Sequence, residues 1–85
     1  MKDFKATKPA FQNLGNWTNG TIGEFRFSIK HFEEGSIYGI NEGKISKLWI
    51  AKNGKTAVNY DRGWDIEPTD EDVIDLYNAL LNEYN

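Results

Sequence analysis

Residues 45–60 read ISKLWIAKNGKTAVNY, two apolar runs separated by the polar turn Lys52-Asn53-Gly54-Lys55. Asn-Gly between apolar runs is typical of a two-residue type I′ hairpin, because both central residues of that turn adopt positive φ. We therefore predict an antiparallel pair of strands over residues 45–51 and 56–60. The turn sets which residues face each other: Ala51 and Thr56, Ile50 and Ala57, Trp49 and Val58, Lys47 and Tyr60.

This register gives the hairpin two apolar faces. One face carries Leu48, Ile50 and Ala57, and the other carries Trp49, Val58 and Tyr60. A helix would cover the first face, because the small Ala57 allows a close approach. The Trp49 face would be covered by the N-terminal residues, or it would stay open as an interaction surface.

One helix is predicted at the C-terminal end of the sequence. Thr69 follows Pro68 as the helix N-cap and Asp72 takes the third helical position, a variant of the capping box. Apolar side chains recur at helical spacing along one side: Val73, Ile74, Leu76, Tyr77, Leu80, Leu81 and Tyr84. The pattern indicates an amphipathic helix that packs on an apolar surface.

Further strands precede the central hairpin. Residues 24–31 alternate apolar and polar, the period of a strand with one buried face. A second Asn-Gly pair, Asn19-Gly20, predicts another hairpin turn that would pair Trp17 with Ile22. The sequence thus predicts an α+β fold, an antiparallel β-meander of four to five strands with one C-terminal amphipathic helix packed on one face.

The domain organisation follows from the same patterns. Residues 15–85 would form a single domain of sheet and helix. Residues 1–14 contain Pro9 and little periodicity, and would form an N-terminal arm. The apolar side chains of the arm indicate that it docks on the domain: Phe4, Phe11 and Leu14.

Composition restricts the class of protein. The 85 residues are 39% hydrophobic and 14% aromatic, which suits one domain with one core. The chain has no cysteine, so disulfides and thiolate metal sites are excluded. No apolar run approaches the ~20 residues of a membrane span, and no apolar stretch follows the basic N-terminus as in a signal peptide. We expect a cytoplasmic protein that does not contact the membrane.

Charge is unevenly distributed along the chain. Residues 1–60 hold nine basic and five acidic side chains, whereas residues 61–85 hold one basic and eight acidic ones. The two regions would either attract each other inside the fold or present a face to an oppositely charged partner. Residues 69–85 contain no Lys or Arg, so the acidic helix face is either solvated or docks on a basic surface.

Residues 60–68, YDRGWDIEP, hold the densest set of chemically versatile side chains. Arg62 could bind a carboxylate or phosphate through two parallel hydrogen bonds. Tyr60 or Trp64 could stack on a ring or contact a cation. With Trp49 of the central hairpin, these residues are the candidate binding site, together with the acidic neighbours Asp61 and Asp65.

The same stretch also has a purely structural interpretation. Asp61 to Trp64 would form a bulged turn with Gly63 at positive φ, with Arg62 neutralised by Asp61 or Asp65. A third interpretation is a hard-cation site built from Asp61, Asp65 and Glu67, although their spacing is not that of a known calcium loop.

No arrangement typical of catalysis is found. His31 is the only histidine, and we expect it to be a strand-end residue with one hydrogen bond. The glycines at 15, 20 and 23 do not open a helix and so do not form a phosphate loop. We expect no enzyme activity, no metal and no cofactor. An enzyme would require a buried carboxylate pair with separated pKa values among the acidic residues of the 60–68 stretch.

Several short motifs resemble a family of small uncharacterised proteins from Gram-positive bacteria, their phages and other mobile elements. The motifs are Tyr38-Gly39-Ile40, residues 43–48, the run from Asn59 to Asp65 and Pro68-Thr69-Asp70. The resemblance covers residues 16–84, and Tyr60-Asp61-Arg62-Gly63-Trp64-Asp65 is its most distinctive part. It implies an accessory role in a prokaryotic or phage cytoplasm, and it provides no assigned catalytic residues to carry over.

These observations predict a non-enzymatic accessory or adaptor domain that binds another protein through the Trp49 face, the Arg62–Trp64 turn, or both. The alternative is a nucleic-acid-binding module in which basic side chains contact phosphates and Trp49 or Tyr60 stacks on bases. The basic set for that alternative is Arg26, Lys30, Lys44, Lys47, Lys52 and Lys55. The acidic helix and a pI near 5.0 count against it. The sequence leaves the partner and the oligomeric state open.

Overall fold

The computed structural model describes residues 16–85. The arm predicted for residues 1–14 lies outside the described residues. Five strands form one antiparallel sheet in chain order: β1 (Asn16–Ile22), β2 (Phe25–His31), β3 (Ile45–Lys52), β4 (Lys55–Asp61) and β5 (Trp64–Ile66). A short 3₁₀ turn (Ile40–Glu42) lies between β2 and β3, and helix α1 (Glu71–Tyr84) follows β5. The predicted α+β meander with one C-terminal helix is confirmed.

The β3–β4 hairpin turns at the predicted Asn-Gly pair. Asn53 has φ 52° and Gly54 has φ 81°, as a type I′ turn requires. The first pair beyond the turn, Ala51 with Thr56, is also as predicted. The local turn signal therefore fixed the start of the hairpin.

The register of this hairpin shifts immediately after the first pair. Ile50 faces Val58, Trp49 faces Asn59, Leu48 faces Tyr60 and Lys47 faces Asp61. Ala57 is the extra residue of a β-bulge, so the predicted partners of Ile50, Trp49 and Lys47 are wrong. One extra residue moves every later side chain of its strand to the opposite face.

The bulge gives the central hairpin one apolar face instead of two. Val58 and Tyr60 lie on the same side as Leu48 and Ile50, and all four are buried. The predicted second apolar face, with Trp49 beside Val58 and Tyr60, is therefore wrong.

The β1–β2 hairpin turns at Gly23-Glu24, and the prediction of a turn at Asn19-Gly20 is wrong. Gly23 has φ 57°, which suits the first central position of a type II′ turn. Gly20 lies inside β1 opposite Phe27, and a Cβ on Gly20 would come within 2.6 Å of the Phe27 ring. This glycine makes room for an aromatic ring, a role that its sequence neighbours do not reveal.

Helix α1 is confirmed, but its predicted cap is wrong. The N-cap is Asp70, without a side-chain capping bond, so Thr69 is not the cap and Asp72 occupies the second helical position. The Asp72 carboxylate accepts the Val73 N–H (2.9 Å) and a hydrogen bond from Lys52 Nζ (2.5 Å). That bond lowers the pKa of Asp72 and raises the pKa of Lys52.

The core lies between α1 and one face of the sheet. Buried side chains of the sheet and the preceding loop meet Val73, Leu76 and Leu80 of the helix: Phe27, Ile29, Ile40, Ile45, Leu48, Ile50, Val58 and Tyr60. At the helix end, the Asn85 side chain accepts the Ile45 N–H (2.9 Å) and donates to the Ile40 carbonyl (3.0 Å). Nothing helical in residues 16–85 has the length and apolar character that crossing a membrane requires.

The opposite face of the sheet is polar with two tryptophans, and we call it the open face. Cross-strand neighbours Trp17, Lys30, Lys47 and Asp61 form one row across it, and Asn19, Ser28, Trp49 and Asn59 form the next. Among the elements of residues 16–85, the only helix, α1, packs on the other side.

Candidate functional site

The loop between β2 and β3 meets the turn between β4 and β5 at one corner of the sheet. The loop closes on itself through backbone bonds from Phe32 N to Lys44 O (3.0 Å) and from Ser36 N to Gly43 O (3.2 Å). Gly39 allows this, because a Cβ there would lie 2.0 Å from the Gly43 carbonyl oxygen. The loop is thus folded tightly enough to present side chains in a defined place.

Tyr60 connects the loop to the rest of the corner. Its hydroxyl donates a hydrogen bond to the Tyr38 carbonyl oxygen at 2.9 Å. The side chain is only 7% exposed, and burial raises the pKa of its phenol. Tyr60 therefore serves as a buried support, and the predicted role as an exposed stacking ring does not fit its position.

Trp64 is both packed and exposed. Its ring lies edge-on to Tyr60 with centroids 5.0 Å apart, and 5.7 Å from the ring of Tyr77 on α1. It is still 40% exposed, and Tyr38 is 55% exposed. We call Tyr38, Tyr60, Trp64 and Tyr77 the aromatic corner. Burial, followed by the charges of Tyr60 and Glu67, raises the pKa of Tyr77.

The turn beside the aromatic corner holds Arg62 in a left-handed backbone conformation. Arg62 has φ 58°, so the prediction that Gly63 takes the positive φ is wrong. Its N–H donates to the Ser46 carbonyl at 2.9 Å, which fixes the turn against β3. A non-glycine residue in this region costs roughly 1–2 kcal/mol, so the turn carries strain where Gly would carry none.

One carboxylate serves two cations at this turn. Asp61 Oδ1 lies 3.7 Å from Lys47 Nζ and 3.8 Å from Arg62 Nε. All three side chains are substantially exposed, so each pair contributes little to stability. The predicted pairing of Arg62 with Asp61 is present but weak, and most of the guanidinium faces solvent.

A cleft of about 700 Å³ lies between the loop and the turn. Basic side chains of β2, β3 and the turn form one wall, Lys30, Lys47 and Arg62, and Glu33 and Glu34 of the loop contribute carboxylates. Phe32 and Tyr38 add aromatic surface. Its volume is in the range of ligand clefts, and its lining suits a partner with mixed charge and an apolar group.

The remaining predicted site residues do not join this corner. Trp49 lies on the open face, where its indole N–H donates to Thr56 Oγ1 at 3.0 Å. Asp65 accepts a hydrogen bond from Asn59 Nδ2 at 3.1 Å. The structure therefore brings Tyr60 and Trp64 together on the helix side, pairs Arg62 with Asp61 at the adjoining turn, and leaves Trp49 and Asp65 on the open face.

The acidic residues of the 60–68 stretch are exposed, and residues 16–85 contain no group of three side chains able to hold a metal ion. The only histidine, His31, contacts Thr18 Oγ1 through Nε2 at 3.0 Å and lies 5.2 Å from the ring of Tyr84. His31 thus occupies a strand end with one hydrogen bond, as predicted.

Sequence reasoning missed Tyr38, Lys30 and Tyr77 as members of this corner. Tyr38 lies in a loop whose glycines recur at every fourth position, 35, 39 and 43. That spacing is a usable signal of a tightly folded loop. Tyr77 was assigned only to the apolar side of the helix, because periodicity does not tell which strand a helical side chain meets.

A family model described as a domain of unknown function, DUF7678, covers residues 16–85. No curated protein and no solved structure matches the chain.

Proposed function

We propose that this chain, which belongs to the DUF7678 family of domains of unknown function, is a non-enzymatic module that binds another protein. The proposal is argued from the surface of the domain. The contact surface consists of the exposed parts of the aromatic corner and Arg62, and we call it the corner surface. One observation carries the proposal. Trp64 is held between two tyrosine rings and is nevertheless two-fifths exposed.

The residue types of the corner surface are those that most often dominate protein interfaces. Trp, Tyr and Arg are enriched among residues whose truncation strongly weakens binding. A ring fixed before binding loses little conformational freedom when the partner arrives. Trp64 is such a ring, and Arg62, two residues earlier in the chain, offers donors for a carboxylate of the partner.

Strain at Arg62 supports the same surface. Backbone strain at a non-glycine residue is concentrated at functional sites. Gly would fit the observed φ of 58° without strain, and Gly63 stands one position later. The chain thus carries arginine where glycine would be more stable, which we attribute to the use of its side chain.

The non-enzymatic part of the proposal rests on the groups that could act as acid or base. Asp61, Asp65 and Glu67 are exposed to solvent, and His31 packs against Tyr84.

We also place the protein in a cytoplasm, since a chain without cysteine suits a reducing compartment. We further propose that the protein has an accessory role in a phage or mobile element of Gram-positive bacteria.

Nucleic-acid binding is not retained as a second function. Its basic residues do not all share a surface: Lys30 and Lys47 lie on the open face, whereas Lys52 bonds to Asp72 of the helix. Asp61 also lies in the row of Lys30 and Lys47.

The test is affinity capture with the full chain and three variants. Arg62→Gly removes the guanidinium and suits the backbone, and Trp64→Ala removes the exposed ring. Trp49→Ala is the matched control, a tryptophan of the open face. We expect a protein captured by the parent chain to be lost with the first two variants and kept with the third.

Far-UV circular dichroism of each variant separates loss of binding from loss of folding. Capture that is equally strong with folded Trp64→Ala and Arg62→Gly contradicts the proposal. So does capture lost only with Trp49→Ala, which would assign binding to the open face.

A further inference from the structure

The two edges of the sheet are built differently. β5 has three residues, an acidic residue at its centre and a register shift against β4. β1 has seven residues, NWTNGTI, which pair with β2 in unbroken register. Natural sheets protect their edges with charges, proline, bulges or short strands. β5 has three of these protections and β1 has none.

The outer side of β1 is a template for another strand. Within residues 16–85, no strand pairs with that side of β1. Trp17 is 56% exposed and Ile22 is 54% exposed, one near each end of the strand. Trp17 lies on the open face, and Ile22, opposite Phe25, lies on the helix side. An added strand would therefore cover apolar surface on both faces of the sheet.

We propose that β1 pairs antiparallel with β1 of a second copy of the chain, about a two-fold axis through Asn19. The two sheets then form one continuous ten-stranded sheet with both helices on the same side. Asn19 is the central residue of the seven-residue strand, so all seven positions are paired. This association uses the edge of the sheet remote from the corner surface and does not depend on the proposed function.

The sequence of β1 suits self-pairing at its central positions. The axis places Trp17 opposite Thr21 of the second copy, an aromatic and β-branched pair that stabilises antiparallel strands. It places Thr18 opposite Gly20 of the second copy, which has no side chain of its own and is covered by the Phe27 ring. In a two-fold pair a charge at the centre of the strand would face the same charge of the second copy, and β1 has no charged residue. No charge repulsion therefore opposes the approach of a second copy.

Asn19 suits the position on the axis. Its side-chain oxygen accepts a hydrogen bond from Ser28 Oγ at 2.5 Å. The amide nitrogen of Asn19 is then the group that can donate across the axis to the same residue of the second copy.

Charge at residue 19 gives a specific test, because only a two-fold pair places that residue opposite itself. Sedimentation equilibrium of the full chain should show a monomer–dimer equilibrium. Asn19→Lys alone and Asn19→Asp alone should each weaken the dimer by roughly tenfold, as expected for like charges a few ångströms apart near a surface. An equimolar mixture of the two variants should form a heterodimer at least as stable as the parent dimer.

The mixture also controls for folding, since restored association requires both variants to be folded. A dimer that both charges leave unchanged, or that the mixture fails to restore, assigns association to another surface and overturns the proposal. A parent chain that stays monomeric overturns it as well. In that case, amide exchange of β1 distinguishes an edge covered by residues 1–15 (slow exchange of the outward N–H groups) from an edge open to other partners (fast exchange).

Discussion

Arg62 is the residue at which stability and use of the side chain conflict most clearly. Its backbone lies in the left-handed region and its side chain is mostly in solvent. The interactions of the side chain with Asp61 are too long and too exposed to compensate for the strain. Proteins often retain such a local cost where a side chain is needed for binding.

We expect Arg62→Gly to raise the free energy of unfolding by up to about 1 kcal/mol, because glycine adopts positive φ without a Cβ clash. The larger conformational entropy of glycine in the unfolded chain offsets part of this gain. Urea unfolding followed by circular dichroism measures the change. Arg62→Ala is the control, since it also removes the guanidinium but keeps a Cβ. Equal stabilities for the two variants would mean that the backbone of residue 62 is not strained.

At the scale of elements, the bulge at Ala57 decides which side chains reach the core. Thr56 lies on the open face, where it bonds to Trp49, and Val58 lies on the helix side. If Ala57 were deleted, Thr56 and Val58 would become neighbours in a regular strand and would still point to opposite faces. Val58 and Tyr60 would therefore stay on the helix side.

Deleting Ala57 should therefore preserve the fold, at a cost of about 1–3 kcal/mol for the lost packing and changed twist. Deleting Asn59, two residues later, should unfold the domain. Tyr60 would then turn to the open face, and removal of a large aromatic side chain from a core costs about 3–5 kcal/mol. Thermal unfolding and the dispersion of amide NMR signals distinguish the two outcomes. An Asn59 deletion as stable as the Ala57 deletion would show that the register is not fixed by the bulge.

Elements were predictable where the sequence carries a strong local signal. Asn53-Gly54 fixed a turn because two consecutive residues there need positive φ. Asn19-Gly20 carries the same signal, but it is overridden by packing of Phe27 against Gly20. The bulge at Ala57 has no local signal at all, because it is selected by burial of Val58 and Tyr60 across the sheet.

At the scale of the whole molecule, α1 is attached to the sheet by the one-sided core and by an ion pair between Lys52 and Asp72. Among the residues that the structure describes, this is the only ion pair between sheet and helix. The Lys52–Asp72 pair agrees with one of the two interpretations of the charge distribution, in which the basic sheet and the acidic helix attract each other.

The pair predicts how stability depends on pH. The pKa of Asp72 is held below its ordinary value of 3.8, so its contribution is complete above that value and is lost as pH falls through the lower folded pKa. The pKa of Lys52 is held above 10.5, so its contribution is complete below that value and is lost as pH rises through the higher folded pKa.

Asp72→Asn should thus lower the melting temperature at neutral pH and have no effect once the pH lies below the folded pKa of Asp72. The asparagine retains an oxygen for the Val73 N–H, so the charge is the main change. Melting temperatures of parent and variant between neutral and strongly acidic pH provide the check. A difference that persists undiminished in acid would indicate that the pair does not act through charge.

The candidate site was predictable only in part. The cluster at residues 60–65 was visible, because Asp, Arg and Trp crowd a turn there. The separation of this cluster onto two faces of the sheet was not predictable. Strand alternation places Asp65 beside Asn59 on the open face and Trp64 beside Tyr77 on the helix side. Tyr38 comes from a loop that is 22 residues away from Tyr60 in the chain, and no local pattern connects the two.

The distribution of the three tryptophans has a spectroscopic consequence. Trp17 stands at one edge of the sheet, Trp49 on the open face and Trp64 at the opposite corner, and none belongs to the buried core. Each indole is therefore a fluorophore that samples a different surface of the same small domain. In a chain in which two of the three tryptophans are replaced by phenylalanine, the tryptophan fluorescence comes from one known surface. A shift in wavelength on adding a partner or a second copy would then identify which surface has lost contact with water.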